Sequence, residues 1–297
     1  RDLVRSRGLG DVYKRQEVEV VVARDQGLEV SVRRGSVENL ELSNDFSLSI
    51  SLLFGKRKGS VSSTNFDDSS IKTLLVKAKD LCLLLQEDPH YGLALGELSP
   101  KKSIELDLDH PWITEPADAV ELALTIERAG LSLNERLLKS DSAEVSTTKS
   151  LVGYGNSNGF SAVVPSSIHS ISSIFVAEQK DGMQRDHWYS VDRDPNKLSD
   201  ADEVGREAAR RSLAKLNPKR PESGVFPVLL APNCASSLIS HFVSALSASS
   251  QFKNASFLLN KIDKRIFREW LTIMESPLEP RSLGGAFFDS DGVQTRN

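Results

Sequence analysis

Cysteine is scarce in this chain of 297 residues: there are two, Cys82 and Cys234. Both lie in apolar helix-like or turn contexts. They read as reduced, buried thiols of a cytoplasmic protein rather than a disulfide framework. No apolar run approaches the length needed to span a bilayer, and the N-terminus has no apolar signal-peptide core. Excess positive charge is missing too. The formal net charge is −4, which argues against direct nucleic-acid binding as the main function. A local gap matters more: no Asp or Glu lies between Ala231 and Asn260. What is present is ordinary for a globular protein, with 39% hydrophobic and 26% charged residues. The length suffices for about two domains.

Residues 1–16, RDLVRSRGLGDVYKRQ, are rich in Arg and Lys with no clear period. They read as a non-native tail of the translated-linker kind, to be left out of fold reasoning; the alternative is a genuine basic tail. Glu17–Val22 and Leu28–Arg33 alternate around Gln26-Gly27, which reads as a β-hairpin. Val37–Leu42, Phe46–Phe54 and Lys58–Ser63 are further alternating strands, giving an antiparallel meander. From Asp67 to Gln86, the residues Ile71, Leu74, Leu75, Ala78, Leu81, Cys82 and Leu85 make one helical apolar face, which ends before Asp88-Pro89. His90 sits in a turn and reads as a solvated loop residue.

Residues 93–143 form a connection that contains a second helical region, Thr114–Lys139, weakened by Gly130. Asp109 and His110 are adjacent but lack a third member for a triad. Strands resume at Glu144. The Asn156, Ser157, Asn158, Gly159 turn admits two readings: a plain hairpin turn, or a loop facing bound peptide. It is no phosphate loop, because the Lys and the following helix are missing. Ser166–Glu178 and Met183–Val191 pair about Asp181-Gly182. There Arg185 and His187 share one face and Asp186 the other. Leu198–Leu216 is an amphipathic helix whose Arg cluster is offset by Asp200, Asp202, Glu203 and Glu207.

Val225–Leu259 reads as the centre of the chain. VFPVLLAP is an apolar run without alternation, the signature of a fully buried strand. Asn233 is a candidate N-cap. Leu238, Ile239, Phe242, Val243 and Leu246 then make one apolar helical face, with His241 at its edge. Near the end, Asp289 and Asp291 alternate as metal ligands do, but the rest of an EF-hand is absent and a turn is the reading.

The strand–helix unit, the block from VSVRRGSVENLELS through the DPHYGLA turn, the string VAEQKDGMQRDHWYSVDRD and the stretch FDSDGV together resemble the TldD/PmbA family, and more closely its PmbA/TldE branch. The resemblance begins near Glu17. It implies an α+β fold of antiparallel sheets with packed helices. The N-terminal domain would cover 17–92, and a central domain 144–297 would lead into a further β-rich C-terminal domain. The metal-bearing branch carries an H-E-x-x-x-H motif on the central helix, and those positions fall near Ser240, His241 and Ala245. One imidazole and no carboxylate cannot make a catalytic zinc site, which takes about three protein ligands. No catalytic or metal-ligating residue is therefore assigned to this chain. The resemblance implies a zinc-bearing TldD-type partner, a peptide substrate, and a non-catalytic role for this subunit. The alternative is a non-enzymatic protein-binding modulator of the DNA gyrase-modulator type.

Overall fold

A computed structural model describes residues 16–297 apart from 113, 135–137 and 181. The tail expected over residues 1–16 lies outside them, save that the backbone of Gln16 opens the first strand. Two compact units are present. One runs up to Pro218 and takes in Ser276–Asn297; the other is Lys219–Glu275.

The larger unit is built on a six-stranded antiparallel sheet. Its strands are β1 (Gln16–Arg33), β2 (Ser36–Phe54), β3 (Arg57–Ser63), β4 (Leu138–Asn156), β5 (Ser161–Gln179) and β6 (Gly182–Asp192). They lie in the order β3-β2-β1-β4-β5-β6. Strands expected in two domains thus meet in one sheet, through the β1–β4 ladder.

The hairpin expected at Gln26-Gly27 is not formed. β1 runs straight through, with Gly27 opposite Ser43 on one side and Thr148 on the other. A Cβ at Gly27 would come 2.7 Å from Ser43 Oγ. This glycine leaves room for the Ser43 hydroxyl inside the sheet and does not mark a turn. The true reversal is at Arg34-Gly35, where φ is 53° and 73°, the successive positive values that suit a two-residue hairpin. Glu127 holds this turn. Its carboxylate accepts the Arg34 and Gly35 backbone N–H groups, each at 2.7 Å. Val37–Leu42 and Phe46–Phe54 are likewise one strand, β2.

Three helices pack on the sheet. α1 (Asp68–Leu84) sets Leu74, Ala78 and Cys82 against β2 and β3. The Cys82 thiol donates to the Leu52 carbonyl at 3.0 Å, and burial pushes its pKa up. α2 (Pro116–Leu131) and α3 (Ala201–Ala214) cover the other core, where Ala119, Ala123, Ile126 and Val204 meet Val30, Val32, Val145 and Ile171. The helical region expected over Thr114–Lys139 ends earlier, and Leu138 already begins β4. Gly130 lies within α2 for a steric reason. A Cβ there would meet the buried Phe175 ring at 2.2 Å, and one at Gly205 would meet the Ile126 carbonyl oxygen at 2.1 Å.

The smaller unit holds α4 (Pro232–Leu246) and α5 (Ala248–Phe252) and, among the described residues, no strand. The buried strand expected at VFPVLLAP is instead an exposed, irregular segment, with Val225 103% and Leu229 97% accessible. A non-alternating apolar run is buried only where other elements cover both of its faces, and this unit supplies none. The apolar face of α4 is likewise open at Leu238, Val243 and Leu246. The helix starts at Pro232, and Ala231 takes the N-cap position in place of Asn233. Cys234 is exposed, contrary to the expected buried thiol.

Candidate functional site

The residues matching the metal helix lie on α4. Ser240 and His241 are exposed, and Ala245 is buried within the helix's own surroundings. The Ala245 carbonyl accepts from Gln251 Nε2 and Ser256 Oγ, both at 2.7 Å. One imidazole, one hydroxyl and one methyl do not fit zinc. Among the described residues no group of three or more His, Cys, Asp or Glu side chains lies within reach of a common metal ion.

Other polar groups singled out by the sequence are structural. Asp186 is turned towards α3 and pairs with Lys215 at 3.0 Å, while Arg185 and His187 are exposed. Burial works against ionisation of Asp186, but the His187 backbone N–H and Lys215 outweigh it and hold its carboxyl below the usual range. His110 sits 3.2 Å from Asp107 and forms no triad with Asp109. Its carbonyl accepts from His169 Nε2 at 2.8 Å, and the Thr147 hydroxyl is 2.7 Å from His169 Nδ1. Nε2 carries a proton to donate to that carbonyl, and Nδ1 shares the second hydrogen bond with the Thr147 hydroxyl. Asp289 closes a turn by accepting from the Asp291 and Val293 backbone N–H groups at 2.9 and 3.0 Å. A Cβ at Gly292, in that turn, would strike the Tyr154 ring at 2.7 Å.

The Asn156–Gly159 turn does border a groove. Asn156 is buried and faces inward. Its Oδ1 accepts from the backbone N–H groups of Asn158 at 3.1 Å and Phe160 at 3.3 Å. Its Nδ2 donates to the Tyr154 hydroxyl at 3.4 Å. That hydroxyl donates to Glu19, which also takes Lys58 Nζ at 3.2 Å. Burial, aided by the Glu19 charge and only partly offset by Asn156, pushes Tyr154 up to about 12. Ser157 is tied to Val18, whose N–H donates to its hydroxyl at 3.1 Å, and Asn158 donates to the Ala94 carbonyl at 2.8 Å. Gly159 takes φ of +93°. Asn156 and Ser157 are therefore braces, while Asn158 and Gly159 reach the groove wall.

The groove has a volume of about 610 Å³ and runs between this turn, the start of β5 and the 96–103 loop, with Phe287 at its floor. That is within the size range of small-ligand clefts, about 300–1,000 Å³. Phe287 belongs to an aromatic cluster in which Phe288 contacts Phe287, Phe160 and Tyr154 at centroid separations of 4.8, 5.3 and 5.6 Å. Lys101, Lys102 and Ser99 line the far wall. Sequence reasoning passed over these three; the only signal was a Ser-Pro-Lys-Lys run inside a connection without period.

The β5 wall is an open strand edge. β6 pairs with β5 only from His169 onward, so the edge of Ser161–Ile168 has no strand partner among the described residues. The phase is fixed by two observations. Ser167 donates its N–H away from β4, to the Leu108 carbonyl at 2.9 Å. Pro165, two residues earlier, has no N–H and so costs nothing on that side. Ser161 and Val163 share this phase, so their amide and carbonyl groups face away from β4, and both residues line the groove.

Three family models match in succession. The PmbA/TldA metallopeptidase domain 1 matches residues 18–82, the central domain 109–216, and the C-terminal domain 223–297. The last begins inside the span expected to be central, close to where the two compact units divide. The metalloprotease PmbA of Escherichia coli O157:H7 is 35% identical over 282 residues, covering 95% of this chain and 63% of that protein. The PmbA homolog of Haemophilus influenzae is 33% identical over 94% of this chain and 62% of its own length. The chain thus spans a little under two thirds of these relatives. Among solved structures, a candidate modulator of DNA gyrase from Bacteroides thetaiotaomicron superposes with a TM-score of 0.89 at 25% identity, covering 94% of this chain and 64% of that one. TldE from Thermococcus kodakarensis shares the fold, with a TM-score of 0.79 at 18% identity over 99% of this chain and 65% of that one.

Proposed function

The chain belongs to the PmbA/TldD metallopeptidase family, and from that premise we propose that it is a non-catalytic, PmbA/TldE-type subunit of a cytoplasmic zinc metallopeptidase. The observation that carries this reading is the ligand set on α4: Ser240, His241 and Ala245 stand where a zinc helix needs two imidazoles and a carboxylate. A TldD-type partner would hold the zinc, which supplies an activated water for amide hydrolysis. This chain would wall the proteolytic space and hold extended peptide. The open edge of β5 suits that role, because main-chain groups bind a peptide without regard to its side chains. Main-chain pairing by itself would select by access, favouring short or unfolded peptides.

The test is co-expression with a TldD-type chain, purification by a tag on this chain, and assay of cleavage of an unfolded peptide. Activity that appears only with the partner, and is lost when the partner's metal helix is mutated, is the expected result. Chelator-sensitive cleavage by this chain alone would overturn the proposal. Failure to associate, with no activity, would favour a protein-binding modulator instead.

A further inference from the structure

We propose that the edge of β5 at Ser161 and Val163, faced by Lys101 and Lys102, is a docking site for an extended peptide that carries a carboxylate. This deepens the peptide-holding role proposed above and rests on it. Two independent features converge. The first is the open edge. Ser161 and Val163 each direct one N–H and one C=O away from β4, so an added strand gains up to about four main-chain hydrogen bonds. Pro165 ends the run because it lacks a donor, and beyond it the Ser167 N–H is already taken by Leu108. The edge therefore reads a short stretch of peptide.

The second feature is charge. The groove lining holds Lys101 and Lys102 and no carboxylate. Among the described residues neither lysine enters an ion pair, whereas Lys58 pairs with Glu19 and Lys149 with Asp109. Two unneutralised ammonium groups opposite a strand edge favour an anionic strand.

The chemistry sought is a carboxylate on an extended backbone. Two sources offer it, an acidic side chain and a free C-terminus. The test is fluorescence anisotropy of labelled hexapeptides with the purified 297-residue chain. One peptide has a central Glu and an amidated C-terminus. A second has Gln and a free C-terminus, and a third Gln and an amide. A fourth is the Glu peptide with alternate backbone nitrogens methylated. At least one carboxylate peptide should bind about fivefold tighter than the neutral one, on the scale of two solvent-facing ion pairs. The tighter of the first two identifies the source. The K101Q/K102Q double variant should erase the preference, and backbone methylation should weaken binding at least tenfold. Val163→Pro should act like methylation; should that variant not fold, the methylated peptide still decides. Equal affinity for all four peptides, no binding at all, or an undiminished preference in K101Q/K102Q would overturn the proposal. The assay needs no partner and reads no cleavage. Its failure leaves the subunit assignment standing, and a failed co-purification leaves this site standing.

Discussion

The two compact units use similar apolar residues to opposite ends. In the sheet unit, Val30, Val32, Ile126, Val145 and Phe175 are fully buried. In the Lys219–Glu275 unit, Val225, Leu229, Ile262, Trp270 and Met274 are among the most exposed large side chains of the chain. The difference lies in neighbours rather than in hydrophobicity. A strand or helix buries an apolar face only against a second element. In the larger unit that element is at hand for the core faces: α2 and α3 over β1, β4 and β5, and α1 over β2 and β3. In the smaller unit α4 and α5 leave most of the apolar surface open.

That contrast can be broken most sharply at a glycine. Gly205→Ala places a methyl 2.1 Å from the Ile126 carbonyl oxygen. α2 and α3 must then separate, at a cost of about 3 kcal/mol. Urea unfolding followed by Trp112 and Trp188, which both pack on the main core, should show the loss. Glu127→Gln comes next. One of the two turn N–H groups at Arg34-Gly35 loses its acceptor, and an amide N–H₂ faces a donor, so about 2 kcal/mol should go. The same unfolding curve reads it.

Asp186→Asn should cost about 1 kcal/mol at neutral pH, by loss of the ion pairs to Lys215 and Arg211. The sign with pH follows from the lowered carboxyl pKa. Its stabilisation is complete above the unfolded carboxyl value near about 3.9, and is lost as pH falls through the lower folded value. The two proteins should therefore differ at pH 7 and converge in strong acid. The smallest effect is expected in the other unit. Leu229→Ser, at 97% exposure, should change the stability of the free chain by less than about 0.5 kcal/mol. A larger loss would mean that this segment is buried in solution and would erase the contrast.

The same contrast explains what could be read from sequence. Alternation marked β3, β5 and β6, and helical periodicity marked α1 and α3, because their burial depends on elements in the same unit. Gly27 misled, since a glycine that makes room for a cross-strand side chain looks the same in sequence as one that turns the chain. VFPVLLAP misled for the opposite reason: its pattern demands cover that the unit does not contain. The Asn156–Gly159 turn was legible as a turn. Which of its residues brace it and which reach the groove was not, because that depends on Val18, Glu19 and Ala94, all distant in sequence. Lys101 and Lys102 carry no periodic signal, and they gain meaning only opposite the β5 edge.

The most direct test of the non-catalytic reading is the zinc content of this chain, purified alone and again with a TldD-type partner, in wild type and His241→Ala. The account predicts no stoichiometric zinc on the chain alone, zinc in the complex, and no change in either with His241→Ala. Stoichiometric zinc on the chain alone that disappears in His241→Ala would contradict it.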